Sequence, residues 1–84
     1  VYAASKAAVL RITEAISEEN KTKGVTANCV MPGTIDTPQN RAAMPNADFS
    51  TWVQPADIAA VIVFLLSRQA GAVTGAAVPV VGRQ

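Results

Sequence analysis

Apolar residues recur at helical spacing through the first part of the chain: Ala8, Val9, Ile12, Ala15 and Ile16 share one face, while Glu14, Ser17, Glu18, Lys21 and Lys23 take the complementary positions. The pattern predicts an amphipathic helix from Tyr2 to about Lys23. Gly24, just past a lysine-bearing last turn, is the expected stop, because glycine accepts a left-handed cap and the cations suit the negative end of the helix. The periodicity then changes. Val25 to Met31 is apolar on both faces, which predicts a strand inside a parallel sheet covered by helices. Pro32-Gly33 ends that strand, and a long connection follows, rich in Pro, Asn, Asp, Ser and Thr, with one helical turn expected near Gln39 to Met44. Connections longer than about 12 to 15 residues are usually functional or disordered. This one carries Phe49 and Trp52, so an ordered functional loop is expected. Pro55 suits the first position of a helix and Asp57 its positive first turn, and the apolar run continues to Leu66 before Ser67-Arg68. Thr74-Gly75 predicts a turn, and Ala76 to Val81 a final strand.

Helix, strand, loop, helix, strand is the order of an α/β fold with a parallel sheet. Two strands are too few to stabilise such a sheet, since an isolated strand pair is marginal even when antiparallel. The expectation is therefore the end of a larger, doubly wound sheet. The stretch Ile58 to Leu66 is apolar nearly all round, as expected for a helix with the sheet on one side and, on the other, the rest of the domain or a second subunit. It is far shorter than the roughly 20 residues needed to cross a bilayer. No basic run with an apolar core and small-residue cleavage site directs export, so a cytoplasmic protein without a membrane partner is expected.

Composition narrows the chemistry. Half of the 84 residues are hydrophobic and 15% are charged, which argues against disorder. A net charge of +1 with no cluster of Lys or Arg argues against a nucleic-acid partner, which needs a concentrated basic surface. With no His and one Cys, the chain cannot build a Cys/His metal site, a Cys-His pair, a Ser-His-Asp triad or an internal disulfide. Cys29 alternates with Ala27 and Met31 in the first strand and reads as a small core residue.

Tyr2 and Lys6 lie four apart on one helix, so their side chains rise from the same face with β-carbons about 5 to 6 Å apart. A neighbouring ammonium and a helix N-terminus both favour the phenolate form of a tyrosine. Such a phenol is a credible general acid toward a carbonyl oxygen, or general base toward an alcohol. The small residues of Tyr-Ala-Ala-Ser-Lys-Ala-Ala would let the helix lie close to a neighbour or ligand.

Taken in order, Tyr2, Ser5-Lys6, Asn28, Pro32-Gly33, Thr37 and the terminal Thr74-Gly75 strand are far more specific than any one of them. Across essentially the whole chain, the set resembles the C-terminal third of the short-chain dehydrogenase/reductase family, whose active-site helix bears Tyr-x-x-x-Lys and whose next strand runs into Pro-Gly and then Thr. The resemblance implies a Rossmann-like domain, hydride transfer with NAD or NADP, and a small-molecule carbonyl, alcohol or pteridine-like substrate. It implies that Tyr2 is the catalytic acid/base, and that Lys6 promotes its ionisation and holds the nicotinamide ribose. It further implies that Pro32, Gly33, Ile35 and Thr37 meet the nicotinamide end of the cofactor; without it, Gly33 reads as a tight turn and Thr37 as a loop cap. The stretch Asp36 to Trp52 is similar to the corresponding loop of the dihydropteridine reductase branch. There Phe49 and Trp52 would stack on a flat ring and Arg41 or Asp48 meet its polar edges, the other reading being that both aromatics anchor the loop to the core.

The family's Gly-rich dinucleotide turn, Asn-Asn-Ala-Gly strand and catalytic Ser belong upstream of Val1, and no GxGxxG occurs in the chain. The 84 residues alone are accordingly expected to be inactive and to bind NAD(P) negligibly. The last strand also lacks the Asp-Gly-Gly common in the family. A homo-oligomer is expected for the intact enzyme. An alternative of another class is a non-catalytic, self-associating α/β module whose open sheet edges and helix faces a second copy covers.

Overall fold

The computed structural model describes residues 1–84. Helix α1 spans Tyr2–Asn20 and continues into a 3-10 turn at Lys21–Lys23, which Gly24 closes at φ 74° by donating its N–H to the Lys21 carbonyl. Strand β1 is Cys29–Pro32, helix α2 is Pro38–Ala43, and a 3-10 turn follows at Phe49–Thr51. Helix α3 is Pro55–Leu65, a third 3-10 turn covers Arg68–Ala70, and strand β2 is Ala77–Val80.

β1 and β2 pair in parallel, with Cys29 opposite Ala77 and Pro32 opposite Val80. Parallel pairing with helices between the strands is the α/β arrangement expected from the sequence. The first strand is shorter than its apolar run: residues 25–28 precede it because pairing, not hydrophobicity, defines a ladder, and bonding to the second strand's segment begins only around Ala27. There the Ala27 carbonyl accepts from the Gly75 N–H at 2.7 Å, and Asn28 bridges the same junction through Val73 O at 3.1 Å and Ala76 N at 3.0 Å. All four β1 residues are half-buried rather than covered on both faces, because only one strand and the flanking helices reach them.

The amphipathic reading of α1 is corrected at its contact face. Val9, Ile12 and Ile16 are exposed, whereas Thr13 and Ser17 are the buried residues. Ser17 bonds to Thr74 at 2.6 Å, and a β-carbon on Gly75 (φ 74°) would stand 3.2 Å from the Ser17 hydroxyl oxygen. The helix thus docks through small polar side chains that permit close approach to the Thr74-Gly75 turn, leaving its apolar stripe open. On α3, Val63 and Phe64 are likewise exposed, as is Leu66 at its C-terminal cap. Only Thr13, Ser17, Trp52, Val53 and Ala70 are buried. The radius of gyration, 15.0 Å, exceeds the roughly 12 Å of a closed domain this long.

Between β1 and α3 the chain forms a closed loop. Ile35 bridges Val53 in parallel, with Asp36 N donating to Val53 O at 2.8 Å and Val53 N to Thr34 O at 3.1 Å. Within it α2 falls one residue before the turn expected near Gln39 to Met44 and is built by local rules. Thr37 caps it, its hydroxyl accepting from Asn40 N at 3.1 Å, and Pro38 takes the first turn, where a missing N–H costs nothing.

Candidate functional site

The N-terminus of α1, the C-terminal end of β1 and the inner face of α2 converge on one cleft. Strand ends are where open α/β sheets present ligands, because the backbone turns away there and leaves a crevice. A cavity of ≈ 500 Å³ is lined by Tyr2 and Lys6 from α1, Pro32 at the end of β1, Gly33, Thr34 and Ile35 after it, Asn40 from α2 and Met44 at its C-terminal cap, and Gln84. A neighbouring cavity of ≈ 260 Å³ shares Tyr2, Lys6 and Pro32 and extends along Ser5, Val9 and Val30.

Tyr2 begins α1 and is 66% exposed, so its phenol is accessible. The Lys6 ammonium lies over its ring, 4.7 Å from the centroid, a cation–π contact that keeps the pair together. Ser5 holds the first turn, its hydroxyl donating to Val1 O at 3.0 Å and Tyr2 O at 2.9 Å.

The turn after β1 is pinned from the far end of the chain. Thr34 N donates to Gln84 Oε1 at 2.8 Å, and Gln84 Nε2 donates to Thr34 O at 3.1 Å. A β-carbon on Gly33 would lie 2.7 Å from that Gln84 nitrogen, so a larger residue there would push the end of the Gln84 side chain aside. The Thr34 backbone therefore offers one donor and one acceptor that together match a primary carboxamide.

Of the residues singled out from the sequence, Tyr2, Lys6, Pro32, Gly33 and Ile35 meet around the cleft. Thr37, Arg41, Phe49 and Trp52 lie outside its lining. The Thr37 hydroxyl caps α2. Arg41 forks onto Asp36, with Nε to Oδ1 at 2.6 Å and Nη2 to Oδ2 at 2.9 Å, and its guanidinium sits 4.5 Å from the Phe49 centroid. Phe49 packs against Trp52 at 4.8 Å between centroids, and Trp52 is 8% exposed. Hydrogen bonds from Arg41 and then Gln54 hold the Asp36 carboxyl down at about 2. The Asp48 carboxyl is also lowered, by the Ser50 hydroxyl and then the Ser50 N–H.

Sequence reasoning missed Asn40, Met44 and Gln84. The first two were within reach: they are four apart, so a helix started by Thr37-Pro38 puts both on one face. Gln84 carries no local signal. Acidic or thiol clusters able to hold a metal ion are absent, and no helix is long and apolar enough to cross a membrane.

The family model described as enoyl-(acyl carrier protein) reductase matches residues 1–82. The chain is 36% identical over 83 residues to the acetoacetyl-CoA reductase of Paracoccus denitrificans, covering 88% of this chain and 34% of that protein. Among solved structures, 4-hydroxyisoleucine dehydrogenase complexed with NADH superposes with a TM-score of 0.79 at 32% identity, covering 96% of this chain and 36% of that one. A blue fluorescent protein from a metagenomic library, in complex with NADPH, gives 0.81 at 35% identity over the same shares. The chain spans about a third of the length of the curated relatives it matches.

Proposed function

The chain belongs to the short-chain dehydrogenase/reductase family, and from that premise we propose that it is the C-terminal, catalytic part of a Rossmann-like domain in an NAD(P)H-dependent oxidoreductase. The observation that carries the reading is the meeting of Tyr2 and Lys6 with the Pro32–Ile35 turn around one cleft. In it Tyr2 delivers a proton to the oxygen of a substrate carbonyl as that oxygen gains charge, and takes it back in the reverse direction. Lys6 holds the phenol in place and presents donors to the cofactor's ribose.

The cofactor, when bound, supplies the hydride. The fit of its nicotinamide end rests on Thr34, whose N–H and C=O already pair with the carboxamide of Gln84, the same chemical group that nicotinamide carries. Gly33 leaves the adjoining backbone accessible, and Pro32, Ile35 and Thr37 complete the segment assigned to that end. The loop bearing Arg41, Phe49 and Trp52 covers the substrate, for which a 3-oxoacyl thioester is favoured by the acetoacetyl-CoA reductase relative, with a pteridine-like ring as the alternative. Without a GxGxxG turn, the 84 residues alone are inactive.

The test uses the intact protein with acetoacetyl-CoA and NADPH or NADH. Tyr2→Phe is expected to lower kcat by about 10²-fold or more, and Lys6→Ala to lower kcat and raise KM for the cofactor. Near-normal turnover in both variants sinks the assignment.

A second reading, self-association, is favoured by Val63 on α3 at 66% exposure and Leu66 at its C-terminal cap at 82%. Sedimentation of the 84-residue chain separates the two: it self-associates if these faces seek a second copy, and a compact monomer at low concentration refutes that.

A further inference from the structure

Arg41 stands beside the cleft, yet two of its guanidinium nitrogens and one face of the group are engaged elsewhere. Its two forked nitrogens are on Asp36, at the neck of the 36–54 loop, and its face is on Phe49, at the loop's far side. Asp36 is in turn held by Gln54 Nε2 at 2.9 Å, from the other strand of the neck, and its side chain is 10% exposed. One arginine thus ties together neck, α2 and the Phe49–Trp52 pair. Directly beside it on α2 is Asn40, which donates to Ile35 O at 2.8 Å and lines the cleft, and one turn on is Met44, which lines it too.

We propose that Arg41 is a positioning residue that clamps α2 against the neck of the loop, so that Asn40 and Met44 form one wall of the Tyr2–Lys6 cleft. A fork on a carboxylate fixes orientation as well as distance, which a single hydrogen bond does not. Six residues of helix cannot hold themselves in place, since isolated helices this short are marginal in water. The clamp sets how tightly substrate is held and leaves the proton transfer at Tyr2 untouched. This assigns Arg41 a role other than meeting the substrate itself, and it rests on the reductase reading given above.

The experiment compares Arg41→Ala, Arg41→Lys, Asp36→Asn and the double variant Arg41→Ala/Asp36→Asn in the intact protein. Amide hydrogen exchange is the first readout, because it needs no activity: exchange across residues 38–49 is expected to accelerate in Arg41→Ala while that of α1 and α3 stays as in the wild type. Steady-state reduction of acetoacetyl-CoA is the second, with KM expected to rise about tenfold in Arg41→Ala and kcat to change little. Arg41→Lys should fall between it and the wild type, and Asp36→Asn should copy it, the double variant being no worse than either single one. Unchanged exchange in 38–49 overturns the clamp. So does a fall in kcat at constant KM, or an Asp36→Asn variant with normal KM, which would mean that Arg41 meets the substrate directly. A wild type that reduces neither acetoacetyl-CoA nor another 3-oxo substrate nor a pteridine sinks the reductase reading instead, and exchange then judges the clamp by itself.

Discussion

Between Asp36 and Gln54 the chain folds onto itself, while α1 and α3 turn their largest apolar side chains outward. In the loop, Trp52 and Val53 are buried, Asp36 and Asp48 are hydrogen-bonded, and two helix or turn starts are capped by their own Thr37 and Asp48. On the helices, Ile12 is 58% exposed, Phe64 50% and Val63 66%. β1 and α3 also leave between them a groove of ≈ 210 Å³ lined by Val30, Ile62 and Leu65. Polar, proline-containing sequence is satisfied by partners a few residues away, whereas an apolar helix face needs a surface from far along the chain or from outside it. The loop carries its own instructions; the helices carry only half of theirs.

The sharpest challenge to that contrast is a pair of truncations. Trp52→Ala removes the largest buried side chain and the partner of Phe49, and is expected to cost about 3 kcal/mol or more, read from the denaturation midpoint of the intact protein by circular dichroism. Leu66→Ala, at the open C-terminal end of α3, should then cost within about 0.5 kcal/mol if that end stays in water. A cost for Leu66 near that for Trp52 would break the contrast and show that α3 is covered once the protein is assembled.

The same contrast explains what could be read from the sequence. α1, its stop at Gly24, the Thr37-capped α2 and the start of α3 at Pro55 all follow from signals within a turn or two. The parallel pairing was legible too, because only a helical crossover joins two such strands. What could not be read depends on long-range partners. The Ser17–Thr74 bond joins residues 57 apart, and it reverses which face of α1 is inside. Gln84 reaches Thr34 across 50 residues. Of the site, the Tyr2–Lys6 pair and the Pro32-Gly33 turn were legible as motifs, but the commitment of Arg41 to Asp36 was not, since nothing in the sequence distinguishes an arginine that meets substrate from one that holds a loop.

A smaller perturbation, acid, probes the polar half of the comparison alone. The Asp36 carboxyl lies at about 2 in the folded chain, below its ordinary 3.8, because Arg41 and then Gln54 donate to the ionised form. A depressed carboxylate stabilises the fold above the unfolded value, and that contribution is lost as pH falls toward the folded one, between about 4 and 2. Asp48, lowered by Ser50, weakens in the same direction. The loop should therefore loosen on acidification through this window, seen as a change in Trp52 emission as the Phe49–Trp52 packing relaxes. Arg11 and Glu14 supply the internal control: a single arginine nitrogen, Nη1, reaches both carboxylate oxygens, at 2.9 and 2.7 Å, on the open surface of α1 with side chains 73% and 43% exposed. Exposed pairs of this kind are worth little and are screened by salt. In Asp36→Asn the part of the acid transition that belongs to the clamp should vanish, because an amide has no proton to gain there, while in Glu14→Gln the transition at Trp52 should be unchanged. A Trp52 transition that survives Asp36→Asn intact would mean that Asp48 and its Ser50 contacts, not the Asp36–Arg41 clamp, carry the acid sensitivity of the loop, and the place of the clamp in a self-sufficient polar loop would have to be redrawn.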